Sequence, residues 1–343
     1  MLKVAILGAT GLIGQHYLYL LQNHPWFTPT FLAASPKSAG QSYRETMHNR
    51  WHLPYPIPTA EVLRTLEEIH STPIDLIFSA LPAPLAQEYE PRLAAAGFPV
   101  ISSASSHRSE SDIPVLIPEI NPSHLNIIAI QKQKRHYQRG FIVAKPNCAI
   151  QSFLLPLAPL HSHFHIRSLS ITTLQALSGA GYKGLNMHDN VIPFIEGEEE
   201  KVETEPLKIL GKIENGAIIP DKRITISAHC NRVPVLHGHL ASISVSFERK
   251  PTYQDILSLW NQPSSLDLPS APAYPIQYLD KPNRPQIQLD RDAQQGMGVS
   301  VGRLRESPLF DWQCVALSHN AIRGGAGGGI LIAEQLYQRG YLG

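Results

Sequence analysis

Apolar and polar positions keep one rhythm in the first part of the chain and another in the rest. "LKVAIL" is a short apolar run that turns through glycines into "LIGQHYLYLL", where Leu12, Tyr17, Leu20 and Leu21 recur at helical spacing. Strand, tight turn and helix are expected there. "DLIFSALP" (75–82), "FPVISSAS" (98–105) and "GFIVAKPN" (140–147) are further short apolar runs ending in Ser, Ala, Pro or Asn, and "LAQEYEPRLAAAG" supplies a helix between the first two. Strands alternating with helices build a mostly parallel sheet.

Beyond about residue 147 the stretches lengthen and alternate: "RSLSITTLQALS", "HLASISVSFER", "GVSVGRL" and "FDWQCVALSH". Such alternation implies a half-exposed sheet, mixed and largely antiparallel. Pro263, Pro269, Pro272, Pro275, Pro282 and Pro285 exclude a central strand or helix, so a long surface loop is expected over 263–285. The end, "AIRGGAGGGILIAEQLYQRG", reads as a glycine-rich turn and a helix that returns onto the first half. The class is α/β, followed by an α+β unit.

Composition narrows the function. With 343 residues and 43% hydrophobic content, the chain suits two domains. Lys plus Arg number 29 against 28 Asp plus Glu, with no basic block among aromatics, which argues against nucleic acid and for a small-molecule substrate. Three cysteines, Cys148, Cys230 and Cys314, are too few for a disulfide scaffold and point to a reducing compartment. Nowhere do eighteen apolar residues run together, and the first residues do not read as a cleavable leader; a cytoplasmic protein with no membrane partner is expected.

Candidate chemistry begins at "GATGLIG", where Gly8, Gly11 and Gly14 fall at the first strand-to-helix turn. Glycine allows phosphate to approach the backbone, and the helix start offers amide donors and positive potential to a pyrophosphate. A dinucleotide is the expected ligand. Where NAD enzymes place an acidic residue for the ribose, "LAASPKSAG" offers Ser35, Lys37 and Ser38 and no carboxylate, so NADP is preferred over NAD.

In "AKPNCAIQSF" (144–153), Asn147 is placed to cap a helix beginning at Cys148, and the first turn of a helix lowers a thiol pKa. The position suits a reactive thiolate and a packed sulfur equally well. Cys230 and Cys314 lie in strand-like runs and read as packing. In "CNRVPVLHGH" (230–239), Arg232, His237 and His239 share a loop-to-strand edge, which offers a proton acceptor and a fork for a carboxylate. "HSHFH" puts His161, His163 and His165 on one strand face, without the acidic or cysteine partners a metal site needs. In "IEGEEEKVETE" (195–205), Glu198 and Lys201 put an anion and a cation on one helical face.

With these motifs in order, the chain resembles the aspartate-semialdehyde dehydrogenases, and more closely their archaeal and fungal branch. The likeness runs through "GATGLIG", "SALP", "SSASSHR", "DIPVLIPEIN", "PNCAIQ", "LQALSGAGYKG", "DNVIPFIEGEEEKVETE", "CNRVPVLHGH", "LDRDAQQGMGVSVGR" and "LSHNAIRGGAGG". It implies a Rossmann-type NADP-binding domain of residues 1–146 plus 320–343, and a catalytic and dimerisation domain of residues 147–319. It makes Cys148 the nucleophile, His239 the acid/base and Gln175 the residue that orients substrate. Arg232 would bind the substrate α-carboxylate and Glu198 its amino group, with Arg108, Asn147 and Lys201 around phosphate. On the cofactor side it implies Gly8, Thr10, Gly11, Leu12, Ile13, Ser35, Ser38, Ser178, Gly179 and Asn320.

Two departures stand out. Lys37 replaces an expected arginine and supplies charge without a flat bidentate fork. "GGAGGG" is richer in glycine than expected, which would loosen the start of the last helix. The implied activity is reversible, NADP-dependent oxidative phosphorylation of L-aspartate 4-semialdehyde to 4-phospho-L-aspartate by a metal-free homodimer or homotetramer. N-acetyl-glutamyl-phosphate reductase and malonyl-CoA reductase are rivals of the same fold. An anionic Glu198 beside Arg232 argues for a free amino acid against the first, and no clear CoA site supports the second. A non-catalytic dimer would be expected to have lost the cysteine or its histidine, and both are present.

Overall fold

In the computed structural model, which describes residues 1–59 and 61–343, the apolar runs of the first half become strands of one sheet. In chain order these are β1 (Leu2–Leu7), α1 (Leu12–Leu20), β2 (Phe27–Ala33), α2 (Tyr43–Met47), β3 (Leu76–Ser79), α3 (Ala83–Ala95), β4 (Pro99–Ser102), α4 (Ile127–Arg135) and β5 (Phe141–Ala144). All five strands are parallel, in the order β2-β1-β3-β4-β5. The uniformly buried runs of β3, β4 and β5 fit a sheet covered on both faces. The order reverses between β1 and β3, which puts the turn after β1 beside the crevice where α/β sheets bind ligands.

From β5 the chain enters α5 (Ile150–Phe164), a helix buried on nearly every side. It lies between the two sheets and shares one apolar core with both. The second half then runs β6 (Ile166–Gln175), α6 (Glu198–Ile209), β7 (Lys212–Glu214), β8 (Ala217–Ile219), β9 (Thr225–Arg232), β10 (His239–Phe247) and α7 (Tyr253–Trp260). It ends with β11 (Ile276–Leu279), α8 (Ile287–Asp290), β12 (Val299–Glu306), β13 (Trp312–Ser318) and α9 (Ala326–Gln338). Its main sheet has the order β11-β12-β13-β10-β6-β9. The outer pairs β6/β9 and β11/β12 are parallel and the inner pairs antiparallel, so the sheet is mixed.

Three expectations change. The proline-rich stretch is not loop throughout: β11 forms in the gap between Pro275 and Pro282, at the sheet edge, where only one side of the strand must pair. "HSHFH" is not a strand. His161 and His163 belong to the last turn of α5, and the helix stops at His165, whose φ is +55°. The glycines before and within α9 do not loosen it, because they permit close packing. A Cβ on Gly327 would come within 2.6 Å of Met297 Sδ, and one on Gly329 would overlap the Tyr17 ring of α1, against which α9 packs. Among the described residues no helix is long and apolar enough to cross a membrane.

Candidate active site

Strand register collects the site. Parallel β6 and β9 end side by side with Gln175 opposite Arg232, and antiparallel β10 starts at the same edge with His239 opposite Ser318 of β13. The C-terminal end of β5 delivers Lys145, Asn147 and Cys148 to that edge, and α6 lays Glu198, Lys201 and Glu205 across it at helical spacing.

The helix after β5 begins at Ile150, two residues later than the sequence suggested. Cys148 lies in the turn before it. Asn147 still organises that turn, since its Oδ1 accepts the backbone N–H of Ala149 at 2.8 Å. The expected lowering of the thiol pKa does not hold. Burial and the Glu198 carboxylate push Cys148 up, against the opposing charges of Lys145, Arg108 and Arg232.

His239 Nε2 lies 3.2 Å from Cys148 Sγ. The other ring nitrogen, Nδ1, accepts the backbone N–H of Ala176 at 3.1 Å, so the neutral ring carries its proton on Nε2, facing the sulfur. Burial and the adjacent Arg232 hold the imidazole down to about 3. It is a neutral hydrogen-bond donor at physiological pH.

Glu198 is the hub of the polar network. It accepts both Asn147 Nδ2 contacts (2.8 and 2.9 Å), Gln175 Nε2 (3.0 Å) and Lys201 Nζ (3.0 Å). Burial alone would raise its carboxyl; Lys201 and the two amides hold it below its ordinary range. Arg232 donates from Nη1 to the Ala176 carbonyl at 2.7 Å. Cys230 and Cys314 are buried in the apolar core.

Three buried or bridging groups escaped the sequence reading. Glu205 accepts Arg108 Nη1 and the Asn147 backbone N–H, each at 2.8 Å. Its signal was there, seven residues beyond Glu198 on one helical face. Lys145, three residues before the cysteine, is buried as well. Tyr182 donates to the Thr10 carbonyl at 2.6 Å and accepts from Gln15 Nε2, which links the glycine turn to the segment after β6; no local pattern marks that contact.

The cofactor candidates fall into two groups. Gly8, Thr10, Gly11, Leu12 and Ile13 form the turn after β1, with Ser35, Lys37 and Ser38 in an exposed turn after neighbouring β2. Gly8 has φ +73°, and a Cβ there would meet the Ala80 carbonyl oxygen at 2.7 Å. No side chain caps α1 at Gly11, so its first amides are free for an anion. Ser178, Gly179 and Asn320 sit beside His239: Asn320 donates to Ser178 Oγ at 2.9 Å and accepts the Gly238 N–H at 2.8 Å. The free amides of the first group suit phosphate, and the second group adjoins the histidine that faces Cys148, as the two ends of a dinucleotide site would require.

Residues 3–128 match the family model described as semialdehyde dehydrogenase, NAD binding domain, and residues 157–323 match semialdehyde dehydrogenase, dimerisation domain. The chain is 44% identical to an aspartate-semialdehyde dehydrogenase from Archaeoglobus fulgidus over 97% of each chain. It is 38% identical to a malonyl CoA reductase (NADP) from Metallosphaera sedula, over 99% of this chain and 98% of that one. A crystal structure of aspartate semialdehyde dehydrogenase with NADP from Candida albicans superposes with a TM-score of 0.89 at 38% identity, covering 99% of both chains.

Proposed function

The chain belongs to the semialdehyde dehydrogenase family, and we propose that it is an NADP-dependent aspartate-semialdehyde dehydrogenase. The observation that carries the reading is the Cys148–His239 contact, set beside a carboxylate (Glu198) and a guanidinium (Arg232) suited to the two ends of an amino acid.

Arg232 binds the α-carboxylate and Glu198 the ammonium, which turns the aldehyde toward Cys148. The thiolate adds to the carbonyl carbon, and the Nε2–H of neutral His239 hydrogen-bonds the oxygen as it takes up the negative charge, giving a thiohemiacetal anion. Bound NADP, held by Gly8, Thr10, Gly11, Leu12, Ile13, Ser35, Lys37, Ser38, Ser178, Gly179 and Asn320, supplies the hydride acceptor. As the carbon–hydrogen bond breaks, the oxyanion re-forms a carbonyl and a thioester remains on Cys148. Phosphate guided by Arg108, Asn147 and Lys201 attacks that thioester and releases 4-phospho-L-aspartate with the free thiolate. Gln175, bound to Glu198, keeps the substrate end of the site in place.

Residues 1–146 with 320–343 serve as the NADP-binding domain, and 147–319 as the catalytic and dimerisation domain of a homodimer or homotetramer. α9 packing on α1 supports that division. The likeness to a malonyl CoA reductase makes Glu198 the discriminating residue, since a malonyl substrate has no ammonium.

The deciding assay follows reduced cofactor with L-aspartate 4-semialdehyde, phosphate, and NADP or NAD in parallel. Phosphate-dependent NADPH formation is expected, abolished in a folded Cys148→Ser variant. Normal turnover in that variant would overturn the mechanism.

A further inference from the structure

Arg108 stands in an irregular stretch of chain. Residues 103–113 form neither helix nor strand, so their carbonyl groups need partners outside any regular ladder. The carbonyls of Arg108, Glu110 and Ile113 converge on Lys208 Nζ, at 2.7, 2.6 and 2.7 Å. An ammonium has three N–H donors and no acceptor, so this set satisfies it completely. Lys208 is only 6% exposed, and no step of the proposed reaction uses it. It continues a row of α6 that the site already employs: Glu198, Lys201, Glu205 and Lys208 follow one another at helical spacing. Glu198 meets Asn147 and Gln175, Glu205 takes Arg108 Nη1 and the Asn147 N–H, and Lys208 holds the main chain from which Arg108 springs. Arg108 Nε is buried without a hydrogen-bond partner among the described residues, so the guanidinium keeps donor capacity beyond Glu205 and the Ser103 carbonyl.

We infer that Lys208 is a positioning residue for phosphate: by gathering the Arg108, Glu110 and Ile113 carbonyls it fixes the Arg108 loop to α6, and so sets where Arg108 lies relative to Lys201 and Glu198 on the same helix. The inference rests on Arg108 serving phosphate. Glu205 alone cannot set that position, because it holds the tip of a long side chain that turns about several bonds, whereas Lys208 holds the main chain. Other contacts tie the loop elsewhere. His107 lies between Glu90 of α3 and Glu110, and Arg135 of α4 meets Glu110 and Asp112, which joins the loop to its own half of the molecule. Ile218 of β8 adds one backbone bond from the second half, at Ser111, three residues beyond Arg108.

The test is phosphate-dependent NADPH formation by the full-length enzyme and by Lys208→Met, Lys208→Gln, Arg108→Met and the double variant Arg108→Met/Lys208→Met. Lys208→Met is expected to raise KM for phosphate about tenfold, the effect of weakening one hydrogen bond to a charged group. KM for L-aspartate 4-semialdehyde and for NADP, and kcat at saturating phosphate, should stay as in the wild type. With Arg108 already replaced, losing Lys208 should lower kcat/KM for phosphate no further, because the lysine acts through the arginine. General damage to the fold would instead weaken aldehyde and phosphate together and would add to the arginine loss. Glutamine retains amide donors for the carbonyls, and it takes the place of methionine in both measurements if the methionine variant does not fold. A folded Lys208 variant with an unmoved phosphate KM, or losses that add, overturns the inference. An unchanged phosphate KM in Arg108→Met would sink the assignment of Arg108 itself, so the two failures are told apart.

Discussion

Arg232 passes so close to Gly179 that a Cβ on the glycine would lie 2.8 Å from the guanidinium Nη1 and 3.1 Å from His239 Cε1. The guanidinium cannot simply swing away without losing its hydrogen bond to the Ala176 carbonyl. Gly179→Ala should therefore displace the Arg232 and His239 side chains together. A fall in kcat/KM for the aldehyde of about 10- to 100-fold is expected, since small misplacements are costly near reacting atoms. Steady-state kinetics on a variant with unchanged Tm checks this, and unaltered kinetics would mean that Arg232 tolerates another position.

The tautomer of His239 fixes what it can do. With Nδ1 occupied by the Ala176 N–H, the ring donates from Nε2 and strongly resists a second proton. His239→Gln should lower kcat/KM by about 10²- to 10³-fold, the usual worth of one donor aimed at developing negative charge. In the wild type, kcat/KM should climb toward alkaline pH as the Cys148 thiol ionises, with no inflection near 6.5 from His239. An acid limb at 6.5 that disappears in the glutamine variant would contradict a neutral imidazole.

The same burial has a stability consequence. His237 and His319 stack at 5.2 Å, with His16 at 6.0 Å from His237, and they sit near Arg291, Asp292 and His52. Burial, and then His237, hold His319 at about 2; burial and Arg232 hold His239 at about 3. Folded values below the unfolded value of about 6.5 mean that the unfolded chain binds protons the native chain refuses. Stability is fully present above that pH and is lost as pH falls below it, by up to about 1.4 kcal/mol per pH unit for each such histidine. Tm measured from pH 7.5 to 5 should drop, and His319→Gln should flatten the slope. Equal slopes in the two proteins would exclude His319 as a cause.

Local rules read well where the chain is locally determined. "GATGLIG" gave the turn after β1 because only glycine fits at Gly8, and "LASISVSF" gave β10 because its alternation matches a sheet with one face on α5. What failed was non-local. The thiol environment of Cys148 depends on Glu198 from α6 and on burial among residues distant in sequence, such as Gly324 and His239, none visible in "PNCAIQ". β11 exists because β12 offers it a partner, although prolines surround it. The glycines near α9 looked like flexibility in one dimension and serve close packing in three. Glu205 was hidden by its neighbours, being one carboxylate in an acidic run whose inward face only the fold selects.

That carboxylate has the largest expected structural effect. One Glu205 oxygen accepts from Arg108 and the other from the Asn147 backbone N–H, so a single buried carboxylate sets both the Arg108 guanidinium and the residue before Cys148. Glu205→Gln keeps one hydrogen-bond acceptor but leaves Arg108 buried without its counter-charge, a loss of about 3 kcal/mol by analogy with other broken buried pairs. A clear fall in Tm and a roughly tenfold rise in KM for phosphate are expected, the latter near the worth of one charge-assisted hydrogen bond. Because the two side chains share one interaction, the double variant Arg108→Met/Glu205→Gln should be less destabilised than the sum of the single ones. Additive losses of Tm, or an unchanged phosphate KM in Glu205→Gln, would show that Arg108 is oriented by something other than this carboxylate.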